Sequence, residues 1–367
     1  MILPKQIGRQ LSVISKYRYK LVLLIALAWT AINLFFWIRY MDLPVESKYD
    51  STFQVLTPSS IWLRSCIVFS MSVGMGYLLV FRLKRMFRNY PLFANMVLKT
   101  AILLLASILM NFFIHFTYSL SVLHLTLVQA LYNFYADSSH TPWLWENTMS
   151  WIAIFIFTQL IIEINEKYSP GVFMDILLGK YIKPQIEKRI IMFLDLQDST
   201  PIAEKLGHNS YFLFIRDFIY HVSTALLEHD GRIYQYVGDE IVVSWMYNDK
   251  NTQKCIYALL EARKMLQKNA EKFKRRYGIV PEFKVGIHLG EVTVGEIGTI
   301  KRDLAMSGDT MNTTARIRNS CNELNHRYII SKDLKDVIRL RRWQYKSLGS
   351  IELKGKSNEM ELFALVI

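Results

Sequence analysis

Between Lys20 and Arg39 the chain carries no charged residue, and the stretch 21–38 is long enough to cross a hydrocarbon core as a helix. A segment of this kind commits the start of the chain to lipid. Three more stretches share the property. Residues 65–81 lie uncharged between Arg64 and Arg82, and from Thr100 there is no Asp, Glu, Lys or Arg until Asp137. Residues 147–162 form a shorter stretch, with Trp143 and Trp145 placed as aromatic interface anchors. Four spans are therefore expected within residues 1–165, near 20–39, 62–82, 94–118 and 145–164. The first is too long for a signal peptide, and no small-residue cleavage pattern follows it. The apolar stretch 119–136 is expected to be interfacial or re-entrant, because a fifth span would export everything after it.

Orientation follows from the loops. Lys5, Arg9, Lys16, Arg18 and Lys20 precede the first span, and Arg82, Lys84, Arg85 and Arg88 separate the second from the third, so both segments should be cytoplasmic. The other connections carry Asp42, Glu46 and Asp50, or Asp137 and Glu146, and should face outward. An even number of spans in the cell (inner) membrane returns the chain to the cytoplasm. The net charge of +13 sits largely beside the spans, where anionic membrane lipid is its partner. No reader motif accompanies it, so nucleic acid is not expected. Cys66, Cys255 and Cys321 are isolated, which suggests neither disulfides nor a thiolate metal site and fits a reducing compartment. The spans are expected to lack buried acidic or basic residues, which argues against a transporter or channel. His115 and His124 fit ordinary buried histidines better than ligands of a metal or haem.

Residues 166–189, interrupted by Ser169, Pro170 and Gly171, are expected to be a coupling linker. Residues 190–196 predict a buried strand that delivers Asp195 near its end. Ser199, Thr200 and Pro201 mark a helix start, whose free amides beside Asp195 favour phosphate. Residues 231–245 predict a hairpin turning at Gly238, Asp239 and Glu240. Helices at 252–276 and 309–321 and strands at 283–289, 345–351 and 360–366 complete an α+β domain, with helices packed on a mostly antiparallel sheet.

Asp195 and Asp239, on adjacent strands, form a carboxylate pair that a cation between them would relieve. Oxygen ligands without histidine or cysteine suit magnesium or manganese. Either aspartate alone would be an ordinary turn or capping residue. Asn312 and Arg316 fall four apart on a helix and share a face, as residues that stabilise a transferring phosphoryl group would. Lys354 sits in a basic turn with freedom to reach phosphate oxygens.

In order and spacing, Phe193-Leu194-Asp195-Leu196, Val237-Gly238-Asp239-Glu240, Gly286-Ile287-His288 with Gly290 and Gly295, Gly308-Asp309-Thr310-Met311-Asn312 with Arg316, and Leu353-Lys354-Gly355-Lys356 resemble the class III adenylate and guanylate cyclases. The resemblance covers about half the chain and leaves the membrane half aside. It implies a ferredoxin-like palm over 190–367 that converts ATP to cyclic AMP. Asp195, Asp239 and the Leu196 carbonyl would hold two Mg2+ or Mn2+ ions. Asn312 and Arg316 would stabilise the transition state, and Lys354 the outer phosphates, from the second protomer of a homodimer.

The base pocket departs from the family pattern. Gln235 stands where lysine marks adenylate and glutamate guanylate cyclases, and Ala305 where the partner residue would be. The glutamine amide donates and accepts, so either purine fits; the missing glutamate favours ATP, with GTP as the alternative. Ser199 and Thr200 join Gln235 and Ala305 as expected substrate contacts. A diguanylate cyclase would share the Gly238-Asp239-Glu240 turn but has no place for Asn312 and Arg316. A catalytically silent nucleotide sensor is the rival from another class, and retention of all five polar residues argues against it.

Overall fold

The structure is a computed structural model that describes residues 13–41, 58–83, 86–87, 90–140, 142–167, 172–248, 252–300, 302–341, 344–353 and 359–366. Contacts divide it into two compact units, a helical bundle up to Lys167 and a sheet-containing unit after it.

The bundle contains α1 (Val13–Met41), α2 (Pro58–Tyr77, running into a π-helical turn Leu78–Leu83), α3 (Leu92–Ser121), α4 (Leu127–His140) and α5 (Trp143–Lys167). Among the described residues, four segments are long and apolar enough to cross a membrane: Ile14–Arg39, Pro58–Leu83, Leu92–Ser121 and Leu144–Asn165. They suggest a multi-pass membrane protein. The apolar stretch after α3 breaks at Val122 and resumes as α4, whose 14 residues are too few to span a bilayer.

Polar groups stitch the helices of the bundle together. Trp29, 1% exposed, donates from Nε1 to Thr158 Oγ1 at 2.9 Å and packs on Phe155 at 5.0 Å between ring centroids. One expectation is corrected here, because the bundle does bury ionisable residues. Lys99 lies 3.4 Å from Glu163, and His115 Nε2 lies 2.9 Å from Asp137 Oδ2. Lys99, Ser107, Asn111, His115 and Ser119 recur at multiples of four along α3 and are all buried, so they form one inward polar stripe. A count of charges in an apolar window misses such pairs, because the partner comes from a different helix.

The second unit has the order α6 (Val172–Leu177), β1 (Gln185–Leu196), α7 (Ser199–Glu228), β2 (Arg232–Val237), β3 (Glu240–Met246), α8 (Lys254–Lys268), α9 (Ala270–Tyr277), β4 (Phe283–Ile297), β5 (Asp303–Ser307), α10 (Asp309–Glu323), β6 (Tyr328–Ser331), α11 (Lys332–Val337), β7 (Tyr345–Ile351) and β8 (Met360–Leu365). The sheet runs β2-β3-β1-β4-β6-β8-β7, with β5 on β4. Only β4 and β6 pair in parallel among the described strands.

Alternation along β1 divides the two faces of the sheet. Ile190, Met192 and Leu194 point into the main core with Phe214, Phe218, Val222 and Leu226 of α7 and Leu259, Ala262 and Leu266 of α8. Each such buried Ile, Leu, Val, Met or Phe side chain contributes about 1.5–3 kcal/mol. Ile191 and Phe193 face the other way, toward Val242, Val292, Val294 and Tyr181. At the start of β1, Arg189 is 1% exposed and donates to Glu187 Oε2 at 2.8 and 2.5 Å and to Ser244 Oγ at 2.8 Å. Lys180, 3.0 Å from Glu187, and Asp175, 3.2 Å from Arg232, extend this network to α6.

Candidate active site

Strand β1 places Asp195 one residue before its end, opposite Lys284 of β4. Beside it, β2 and β3 turn at Gly238 and Asp239, where Gly238 adopts φ 62°, a conformation that favours glycine. Burial pushes the Asp195 carboxyl up. Arg318 works against that push, and the nearby charge of Asp239 adds to it. Oδ2 of Asp239 is buried without a hydrogen-bond partner among the described residues. Among the described residues no three histidine, cysteine or acidic side chains converge as a ligand set. Two neighbouring carboxylates and one orphaned oxygen nonetheless fit a hard cation, which completes its shell with water and substrate phosphates. Leu196 closes the strand with its side chain 1% exposed, so only its backbone could serve.

The beginning of α7 follows directly, with Ser199 and Thr200 in its first turn. Burial raises the Tyr211 hydroxyl, the charges of Asp239 and Asp195 push it further, and a hydrogen bond with Ser199 acts the other way. Tyr211 therefore lies near both carboxylates, although no sequence pattern singles it out among the residues of a long helix.

Arg318 is the second residue missed. Its Nη1 donates to Asp195 Oδ2 at 3.1 Å, and its Nη2 lies 2.6 Å from Glu240 Oε2. Lys284 Nζ stands 3.6 Å from the same Asp195 oxygen. The glycines explain how α10 comes so near. A Cβ on Gly286 would lie 2.4 Å from the backbone nitrogen of Arg318, and one on Gly290 would lie 2.4 Å from Thr310 Oγ1. Both glycines are platforms for the helix. Two residues back on α10, Arg316 points roughly to the opposite side, about 200° around the axis. Among the described residues, no hydrogen bond or ion pair ties Arg316 or the exposed Asn312 to the carboxylates of their own chain.

Gln235 is exposed on β2 and Ala305 lies on β5. A bulge beside Gln235 lets Tyr234 accept a hydrogen bond from Met306 N at 3.1 Å, so the neighbours of both residues are tied together. Lys354 lies outside the described residues.

The family model of the adenylate and guanylate cyclase catalytic domain matches residues 182–366, half of the chain. The chain belongs to the class III nucleotide cyclases. That family is metal-dependent, and a nucleotide substrate follows from it. The cyclase is 32% identical to adenylate cyclase 2 of Rhizobium meliloti (strain 1021) over 212 residues, 56% of this chain and 57% of that one. With an adenylate cyclase of Anabaena cylindrica it shares 23% identity over 211 residues, 54% of this chain and 42% of that one. The chain thus spans 57% of the first relative's length and 42% of the second's. A bacterial light-regulated adenylyl cyclase shares the fold, with a TM-score of 0.50 at 19% identity, over 57% of this chain and 61% of that one.

Proposed function

We propose that this cyclase converts ATP to 3′,5′-cyclic AMP and pyrophosphate at a two-metal site completed by a second copy of the chain. The observation that carries the reading is the division of the polar residues: Asp195 and Asp239 gather at one place, while Asn312 and Arg316 on α10 engage nothing there. Asp195, Asp239 and the Leu196 carbonyl would hold magnesium or manganese, which would supply polarisation of the ribose 3′-hydroxyl and charge to hold the triphosphate. Ser199 and Thr200 present helix-start amides to the phosphates. From the partner protomer, Asn312 orients the ribose, Arg316 meets charge developing at the α-phosphorus, and Lys354 neutralises the outer phosphates.

Gln235 and Ala305 line the base pocket. Two points support ATP: no glutamate stands at Gln235 to read guanine, and the relative at 32% identity is named an adenylate cyclase. GTP is accepted second, because an exposed amide addresses either purine edge. The membrane unit anchors the catalytic half at the cytoplasmic face of the cell membrane and regulates it through the segment that precedes β1.

Complementation tests the dimer. Asp195→Asn and Arg316→Ala chains are each expected to be inactive alone, and mixing them restores one intact site per heterodimer. Mixed chains that exchange protomers yet stay inactive would sink the shared-site reading.

A further inference from the structure

The carboxylates of the site are shared unequally. Both protein cations take the same oxygen of Asp195: Arg318 Nη1 at 3.1 Å and Lys284 Nζ at 3.6 Å from Oδ2. The other arm of Arg318 engages Glu240, the residue next to Asp239. Among the described residues no hydrogen bond reaches Asp195 Oδ1, and Asp239 Oδ2 is buried without a partner. Among the described residues, the protein therefore engages one edge of the carboxylate pair and leaves the other without a protein partner.

Arg318 reaches this place by construction. Gly286 lets α10 sit directly on β4 at Arg318, and the planar guanidinium fork spans β1 and β3 from there. Two consequences oppose each other. The fork braces the Asp195 side chain and, through Glu240, the turn that carries Asp239. It also sets a fixed positive charge against the site, into which a divalent cation must be brought.

We propose that Arg318 sets the metal affinity of the Asp195–Asp239 pair, acting as a positioning residue whose charge weakens cation binding and so fixes a threshold metal concentration for activity. The proposal rests on the reading of these aspartates as metal ligands. Lys284 contributes in the same direction from a longer distance. A purely structural brace makes the opposite prediction, since loosening the carboxylates weakens metal binding.

The experiment is a titration of the full-length chain, purified in detergent, with Mn2+ alone, followed by the electron paramagnetic resonance signal of the free ion. Arg318→Gln is expected to tighten Mn2+ binding by at least about threefold. Arg318→Lys keeps the charge and loses the fork, so it should bind Mn2+ no more tightly than the unsubstituted protein, and tighter binding by this variant would overturn the proposal. Asp195→Asn should lose the site. If Arg318→Gln binds Mn2+ equally or more weakly while Asp195→Asn loses it, the proposal is overturned and Arg318 is only a brace. If Asp195→Asn binds as the unsubstituted protein does, the metal reading itself fails, and the proposal with it. Should Arg318→Gln show no cooperative melting transition, Lys284→Gln decides: tighter binding supports the proposal and unchanged or weaker binding overturns it.

Discussion

Gly286→Ala is the smallest change that separates helix α10 from the sheet. The added methyl would lie 2.4 Å from the backbone nitrogen of Arg318 and 2.8 Å from its Cα, and neither atom belongs to a side chain that can swing aside. Ordinary contact requires the helix to rise by about 1 Å. Overpacking of this kind destabilises by about 1–3 kcal/mol, and each kcal/mol lowers the melting temperature of a domain this large by about 2–4 °C. The same shift takes Arg318 out of hydrogen-bond range of Asp195 and displaces Asn312 and Arg316. Misplacement by about 1 Å costs on the order of 100-fold in rate. Gly290→Ala is the control. Its methyl would meet a side-chain hydroxyl, Thr310 Oγ1, whose rotation sacrifices a hydrogen bond to the Glu291 carbonyl worth about 1 kcal/mol. Thermal melting and nucleotide turnover of both variants should rank Gly286→Ala as the more damaging. Unchanged melting and turnover for Gly286→Ala, or the reverse ranking, would refute the close-approach argument.

Arg316→Ala should lower kcat by about 1000-fold while nucleotide binding by the folded protein persists. Gln235→Glu should raise the GTP-to-ATP ratio of kcat/KM by about tenfold or more, read from competing-substrate assays. Burial pushes the Glu187 carboxyl up, but the hydrogen bonds and charge of Arg189, with Lys180, more than offset it, and the folded pKa lies below the ordinary 4.5. Its stabilisation is therefore complete above pH 4.5 and is lost as pH falls through the lower folded value. Glu187→Gln should flatten the acid limb of stability and, by stranding buried Arg189, cost about 3 kcal/mol at neutral pH; denaturant unfolding across pH checks both. In the bundle, Lys99→Met and Glu163→Gln together should destabilise less than the sum of the single changes, by at least about 0.5 kcal/mol in melts of the detergent-solubilised protein.

The residues that punctuate the chain make much of this architecture legible from order and spacing. Uncharged windows mark the spans, because lipid tolerates few alternatives to an apolar helix. Asp195 at the end of an apolar run and Gly238-Asp239-Glu240 between two strands announce a carboxylate pair by their positions alone. The expected helix 252–276 divides at Asn269 into α8 and α9, and β1 begins earlier than the apolar run. Charged residues can occupy a strand when a network like that of Glu187 and Arg189 satisfies them. Strands β5 and β6 escape a pattern reading: one is half-buried and polar at both ends, and the other is four residues long. Arg318 resembles surface charge beside Arg316, because helical spacing reveals which face a residue shares but not which strand lies beneath it. Gly286 and Gly290 carry the family resemblance, and their physical task emerges only when α10 lies across β4.

Product formation by the purified chain, with ATP and GTP in turn and with magnesium or manganese, tests the cyclase assignment most directly when an Asp195→Ala control runs beside it. Cyclic AMP in excess of cyclic GMP, with none from the control, is the expected result. A folded dimer that binds nucleotide and forms neither product would contradict it and leave the domain a sensor of nucleotides.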